Sequence, residues 1–127
     1  GDIHSAWAAE IPYDASLYPV AGENAAVEFV ATSVTSANLK DILGTPARHP
    51  LNLTVEQAIL AANPHMKHLN FDDHGFSVLD VTSERTQMDW FVIGDRTDRR
   101  TPITWSASFA TQAGTASVTR VDRPVGR

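Results

Sequence analysis

The sequence contains no cysteine, and this absence excludes several kinds of function at once. A chain without thiols has no disulfide, no cysteine-ligated zinc and no thiol nucleophile. It also lacks any apolar run approaching the roughly 20 residues that a membrane-spanning helix needs, so we expect no membrane span. Positive charge is scarce: 10 Lys and Arg are outnumbered by 15 Asp and Glu. The net charge of −5 argues against a nucleic-acid partner.

The remaining composition is that of an ordinary globular domain. The chain has 127 residues, of which 43% are hydrophobic and 20% are charged. That length is sufficient for one domain with a hydrophobic core. We therefore treat residues 1–127 as a single unit.

The opening Gly1-Asp2-Ile3-His4-Ser5-Ala6-Trp7 is a candidate metal-binding motif. On a strand, side chains two residues apart share a face, so Asp2 and His4 would converge on one point. A carboxylate oxygen with an imidazole nitrogen suits a metal ion, and Gly1 would let the backbone approach it closely. The alternative is an ordinary Asp–His hydrogen bond, because this spacing also occurs by chance.

Turn and capping signals divide the first half of the chain into short elements. Residues 8–24 contain two prolines and are predicted to be an irregular loop, and residues 25–32 a strand. Ser36 is predicted to cap a short helix that ends at Gly44. A second helix is predicted over residues 54–62, with Thr54 and Gln57 as a capping box. Its predicted buried stripe is Val55, Ala58, Ile59 and Ala62.

Strands dominate the second half of the chain. The last four predicted strands follow one another through short turns, which indicates an antiparallel meander with one covered face. We expect helix 54–62 to be that cover, and Ile103, Trp105, Ala107 and Phe109 to point inward together. The fold class predicted is α+β, mainly antiparallel sheet with one or two short helices. The predicted strands are residues 67–71, 76–81, 86–94, 103–110 and 116–121.

Other polar residues have a structural interpretation beside the functional one. His65 and His68 would share one face of a helix as a metal pair, but Pro64 and the strand that follows make such a helix unfavourable. The Asp72-Asp73-His74 group resembles a metal cluster, yet turn chemistry explains these residues fully.

Several short motifs, in order along nearly the whole chain, resemble the alkaline phosphatase D (PhoD-like) family of metallophosphoesterases. The opening Gly-Asp-x-His motif resembles the last metal-binding motif of that family. The later motifs resemble the segments that follow it and the C-terminal sheet. They are Glu28-Phe29-Val30, Ser33-Val34-Thr35-Ser36, Asn63-Pro64-His65, His74-Gly75-Phe76, Asp80-Val81-Thr82 and Asp89-Trp90.

This resemblance implies the C-terminal part of a phosphatase domain, with an αββα sandwich of two sheets. The family hydrolyses phosphate esters at a cluster of iron and calcium ions. By the motif, Asp2 and His4 would be metal ligands, Trp7 would pack beside the site, and His65 would support the pocket. The other ligands of the family lie upstream of this motif, so the chain alone is expected to be inactive. An extracytoplasmic location is implied in the same way.

A second interpretation is a non-catalytic α+β module that binds a partner or itself. If half of a sandwich is absent, apolar side chains such as Val27, Phe29, Met88 and Phe91 would be left partly uncovered. We therefore expect a homo-oligomer that buries them.

Overall fold

The computed structural model describes residues 2–20 and 23–126, in which seven strands and two helices form an α+β fold. All strand pairs are antiparallel, which confirms the predicted fold class. One sheet has the order β2-β1-β3 and the other the order β4-β5-β6-β7. The elements are β1 (Ala6–Pro12), β2 (Asn24–Val30), α1 (Leu39–Leu43), α2 (Pro50–Ala62), β3 (Met66–Asn70), β4 (Gly75–Val81), β5 (Arg85–Ile93), β6 (Ile103–Gln112) and β7 (Thr119–Val121).

The core lies between the two sheets, not between the meander and helix α2. Met88 and Trp90 of β5 and Phe109 of β6 pack against Ala6 and Ala8 of β1. Helix α2 instead covers the opposite face of the three-stranded sheet. The prediction that this helix covers the meander is therefore wrong. Two sheets with a common apolar face cover each other, because each buries more apolar area in this way than a single helix offers.

Strand β1 includes residues 8–12, the start of the loop that was predicted over residues 8–24. It is the central strand of its sheet, and both of its faces are covered, one by the other sheet and one by α2. Ala8 is 0% exposed and Ala9 is also buried, so large side chains do not fit there. Small residues have low strand propensity, which is why local patterns miss this strand.

The packing of the core contradicts two predictions about apolar side chains, one for Met88 and one for Trp105. Met88, expected to be uncovered, is only 8% exposed, and Phe29 packs edge-on to Trp90 with ring centroids 6.0 Å apart. Trp105 does not point inward with Ala107, because the register of β5 and β6 shifts between Trp90 and Phe91. The shift places Trp105 opposite Phe91, on the outer face of the sheet.

The two helices begin at other residues than predicted, although both end as expected. Asn38, not Ser36, is the N-cap of α1, and Gly44 ends that helix in the left-handed conformation at φ 65°. Helix α2 starts at Pro50 after His49, which leaves Thr54 inside the helix. Its buried side chains are Asn52 and Glu56. Of the predicted apolar stripe, Ile59 does pack against the buried cluster, whereas Ala58 and Ala62 are exposed.

Candidate functional site

The candidate ligands Asp2 and His4 precede strand β1 and are not part of it. Their φ angles are +70° and +51°, in the left-handed region. The prediction that strand alternation puts both side chains on one face is therefore wrong, since neither residue is extended. Gly1, expected to allow a close backbone approach, lies outside the described residues.

The ring of His4 is oriented by a backbone carbonyl far away in sequence. Its Nδ1 lies 2.8 Å from the carbonyl oxygen of Ala37. A carbonyl oxygen only accepts hydrogen bonds, so Nδ1 carries the proton and donates. In the neutral ring, Nε2 then keeps its lone pair, which is the form in which histidine ligates a metal ion.

Ala37 belongs to an irregular segment between β2 and α1, here called the 33–38 loop (residues 33–38). The carbonyl of Ser33 accepts a hydrogen bond from the Gly75 amide at 3.0 Å. The carbonyl of Thr35 accepts one from Arg96 Nη1 at 2.9 Å. At the far end, the Asn38 side chain donates to the Asp72 carbonyl at 2.5 Å. Side chains and amides from three distant segments therefore hold this loop.

A cluster of three ionisable side chains lies against the loop. Oδ2 of Asp41 is 2.8 Å from His74 Nε2 and 2.7 Å from Arg96 Nη1. His74 is only 3% exposed, and its Nδ1 is 3.2 Å from the Ser33 carbonyl. Burial acts to raise the pKa of Asp41, but hydrogen bonds from the Asn38 amide and from His74 outweigh it and hold that pKa below its usual value.

Asp72 is the centre of the polar network behind the loop. The residue is 0% exposed, and its carboxylate accepts hydrogen bonds from the Arg48 amide at 2.7 Å and from Asn52 Nδ2 at 2.8 Å. Its carbonyl also accepts from Lys40 Nζ at 2.8 Å. A buried carboxylate with this many donors organises structure. The interpretation of Asp72 as a turn residue understates its role.

Trp7, expected to pack beside the metal motif, faces helix α2. Its ring meets Phe71 edge-on, with centroids 5.9 Å apart, and lies in the cluster that includes Ile59 and Leu60. Its indole nitrogen donates to the hydroxyl of the buried Ser5. Trp7 thus anchors the start of β1, which begins two residues after His4.

His65 lies at the other end of β1, so the structure does not bring it to Asp2 and His4. The amide of Glu10 donates to the His65 carbonyl at 2.9 Å, and the His65 ring contacts Tyr18 edge-on. Glu10 is four positions after Ala6 on β1, a distance along the strand of roughly 13 Å. His68 points elsewhere again, into the core between Trp90 and Phe109.

Within residues 2–20 and 23–126, no three His, Asp or Glu side chains are grouped closely enough to hold a metal ion. The described residues therefore contain two candidate metal donors, Asp2 and His4, and a cluster of side chains that supports His4. The sequence patterns placed His74 in a turn and in the motif His74-Gly75-Phe76, and they gave no role to Asp41 or Arg96. Arg96 is 55 residues from Asp41 and 22 from His74, so no spacing rule connects them.

Comparison with known proteins identifies the family. The sequence model of the family described as PhoD-like phosphatase matches residues 1–90, more than half of the chain. No curated protein sequence matches significantly. A solved structure titled "Structure of PhoD" superimposes with a TM-score of 0.76 at 26% identity, which covers 98% of this chain and 22% of that chain. This chain therefore belongs to the PhoD-like phosphatase family.

Proposed function

We propose that this chain supplies Asp2 and His4 as two ligands of the metal site of a phosphoesterase. The family is metal-dependent in general. The observation that carries the proposal is the hydrogen bond from His4 Nδ1 to the Ala37 carbonyl, which leaves Nε2 as the nitrogen with the lone pair in the neutral ring. A backbone carbonyl as the second partner of the ring is the usual arrangement for a ligating histidine.

The donor chemistry of the two residues fits the mixed metals implied by the family resemblance. A carboxylate oxygen at Asp2 suits calcium and also iron, whereas the imidazole of His4 suits iron. When bound, such a pair of ions supplies charge neutralisation for the phosphate oxygens and lowers the pKa of a water molecule. Asp2 and His4 would hold the ions, and the 33–38 loop would keep the His4 ring in place.

A complete site requires more ligands than these two. The chain spans 22% of the length of the solved structure that it resembles. We propose that residues upstream of Asp2 in a longer chain complete the site, and that the 127 residues alone do not hydrolyse phosphate esters. We propose phosphate monoesters and diesters as the substrate class and an extracytoplasmic working location, and family membership supports both proposals.

Manganese binding to the 127-residue chain tests the ligand assignment. A two-ligand site binds weakly, so the sensitive observable is the paramagnetic broadening of NMR signals during Mn²⁺ titration. We expect the signals of Asp2 and His4 to broaden first, and this selective effect to vanish in His4→Ala. His65→Ala is the matched control, because His65 lies at the far end of β1, and this variant should behave like the wild type.

Uniform broadening, or selective broadening that survives in His4→Ala, would contradict the assignment. A longer chain that includes the upstream ligands should hydrolyse bis-p-nitrophenyl phosphate. In that longer chain, we expect His4→Ala to lower the activity by more than roughly 10- to 100-fold. A loss of that smaller size is typical when a residue that supports a metal ligand is replaced. Full activity in both Asp2→Ala and His4→Ala would show that neither residue is a ligand.

A further inference from the structure

We propose that Asp41, His74 and Arg96 are positioning residues that hold the 33–38 loop so that the Ala37 carbonyl fixes the tautomer and orientation of His4. The inference rests on the proposed function in one respect, namely that His4 Nε2 binds a metal ion. The arrangement of the ring is a property of the chain in the absence of any ligand.

The 33–38 loop needs external support, because its backbone forms neither helix nor strand. Its residues do make one internal contact, from the Ser33 hydroxyl to the Ser36 carbonyl at 2.7 Å. A segment with so few internal bonds is ordered by what it touches. The cluster provides those contacts at both ends of the loop.

At the first end, His74 and Arg96 bind successive parts of the loop. His74 Nδ1 contacts the Ser33 carbonyl at 3.2 Å, and Arg96 Nη1 donates to the Thr35 carbonyl at 2.9 Å. At the second end, the Asp41 carboxylate accepts a hydrogen bond from the Asn38 amide at 3.1 Å. Ala37 lies between these fixed points, so its carbonyl direction is set by them.

The three side chains also hold one another. Oδ2 of Asp41 accepts from Arg96 Nη1 at 2.7 Å and lies 2.8 Å from His74 Nε2. Hydrogen bonds that involve ionised partners are about twice as strong as neutral ones. The three residues come from helix α1, from the turn before β4 and from the loop after β5. The orientation of His4 therefore depends on the tertiary fold of residues far downstream.

A purely structural role for the cluster makes a different prediction. In that case its loss lowers the free energy of unfolding but leaves the His4 ring as it was. A positioning role changes the ring itself, because the nitrogen that carries the proton is set by the hydrogen bond that the ring makes. The tautomer of His4 is therefore the deciding observable, and it needs no metal.

The experiment measures the ¹⁵N shifts of the His4 ring at about pH 8.5, where an ordinary imidazole is neutral. We expect the wild type to show the Nδ1–H tautomer, and Arg96→Ala to show a mixture of both tautomers. Arg85→Ala is the matched control, because the Arg85 side chain is equally exposed, at 31%, and pairs with Asp80 at 3.6 Å, in a different part of the fold. It should leave His4 unchanged.

Asp41→Asn is a second variant that keeps the side-chain size and should shift the His4 tautomer in the same direction. If His4 keeps the Nδ1–H tautomer in Arg96→Ala and Asp41→Asn while both remain folded, the inference is overturned. The Mn²⁺ titration separates the two proposals. We expect Arg96→Ala to weaken Mn²⁺ binding at His4 by roughly 10-fold or more. If the variants shift the His4 tautomer but the wild type binds no Mn²⁺, the positioning role is supported and the metal site is rejected.

Discussion

At the scale of single residues, three described residues other than glycine have a positive φ, and two of them are the candidate ligands. Asp2 and His4 both have positive φ, as does Arg48, whose amide donates to the buried Asp72. Asp and His are among the residues that tolerate this region best, yet each such conformation still costs roughly 1–3 kcal/mol unless the surroundings hold it. For His4, the surroundings are the Ala37 carbonyl and the Thr32 hydroxyl.

His68 is a partly exposed histidine whose ring packs into the core. Its ring centroid is 5.2 Å from those of Trp90 and Phe109, and its Nε2 has no hydrogen-bond partner among the described residues. Burial lowers the pKa of His68 from 6.5 to about 4, and the positive charges of Arg120 and Arg48 add to that effect. The folded protein therefore holds this ring neutral.

The depressed pKa of His68 predicts a loss of stability in mild acid. Between about pH 6.5 and pH 4 the unfolded chain binds a proton at His68 and the folded chain does not. The free energy of unfolding should then fall with decreasing pH, by up to about 1.4 kcal/mol per pH unit from this residue. Urea unfolding across this range measures the slope.

The substitution His68→Phe should reduce that slope, because Phe keeps the ring stacking and does not titrate. His65→Phe is the control, since His65 lies outside the core, and it should retain the wild-type slope. An unchanged slope in His68→Phe would mean that another group causes the acid sensitivity.

At the scale of elements, the pairing of β4 with β5 depends on a close backbone approach. Gly75 opens β4 opposite Val92. A Cβ atom on Gly75 would lie 1.9 Å from the Phe91 carbonyl oxygen. Glycine is therefore required here by space, directly after the buried His74 of the cluster.

We predict that Gly75→Ala destabilises the protein by roughly 1–3 kcal/mol, the usual cost of overpacking. The backbone of β5 must move to remove the clash, so the protection of β4 and β5 amides from hydrogen exchange should fall most. Gly126→Ala is the control, because a Cβ atom there meets nothing within 4 Å. Equal stability of the two variants in urea would contradict this reading of Gly75.

At the scale of the whole molecule, a sheet of three strands faces a sheet of four. The narrower sheet does not cover strand β4, which forms one edge of the wider sheet. Leu79 pairs with the buried Met88 and so shares its face, yet Leu79 is 55% exposed. Val81 on the same strand is also exposed. An unpaired edge strand with exposed apolar side chains favours association.

We predict that the chain forms a dimer or a larger homo-oligomer through β4. The exposed apolar residues there are Leu79 and Val81, whereas Met88, which was expected to be uncovered, is buried. Sedimentation velocity at micromolar concentration should show this assembly, and Leu79→Lys should shift it toward monomer. Leu51→Lys is the control, because Leu51 on α2 is similarly exposed at 53%. A monodisperse monomer for the wild-type chain would refute the prediction.

Local patterns were sufficient for much of the fold. The strands at residues 76–81 and 86–94, the Gly44 stop and the end of α2 at residue 62 all appear in the structure, with bounds that differ by a residue at most. These features depend on the intrinsic preferences of a few neighbouring residues, so a single sequence contains them. The ordered motifs likewise led to the correct family.

Contacts between distant segments decided the rest. Strand β1 exists because two layers enclose it, and Trp105 faces outward because β6 pairs with β5 across a register shift. Helix α2 presents Asn52 and Glu56 inward because Asp72, Arg48 and the Phe71 amide satisfy them. The support of His4 arises in the same way, from Ala37, Asp41, His74 and Arg96. No local preference encodes such an arrangement, since each side chain acquires its role from a partner that only folding brings near.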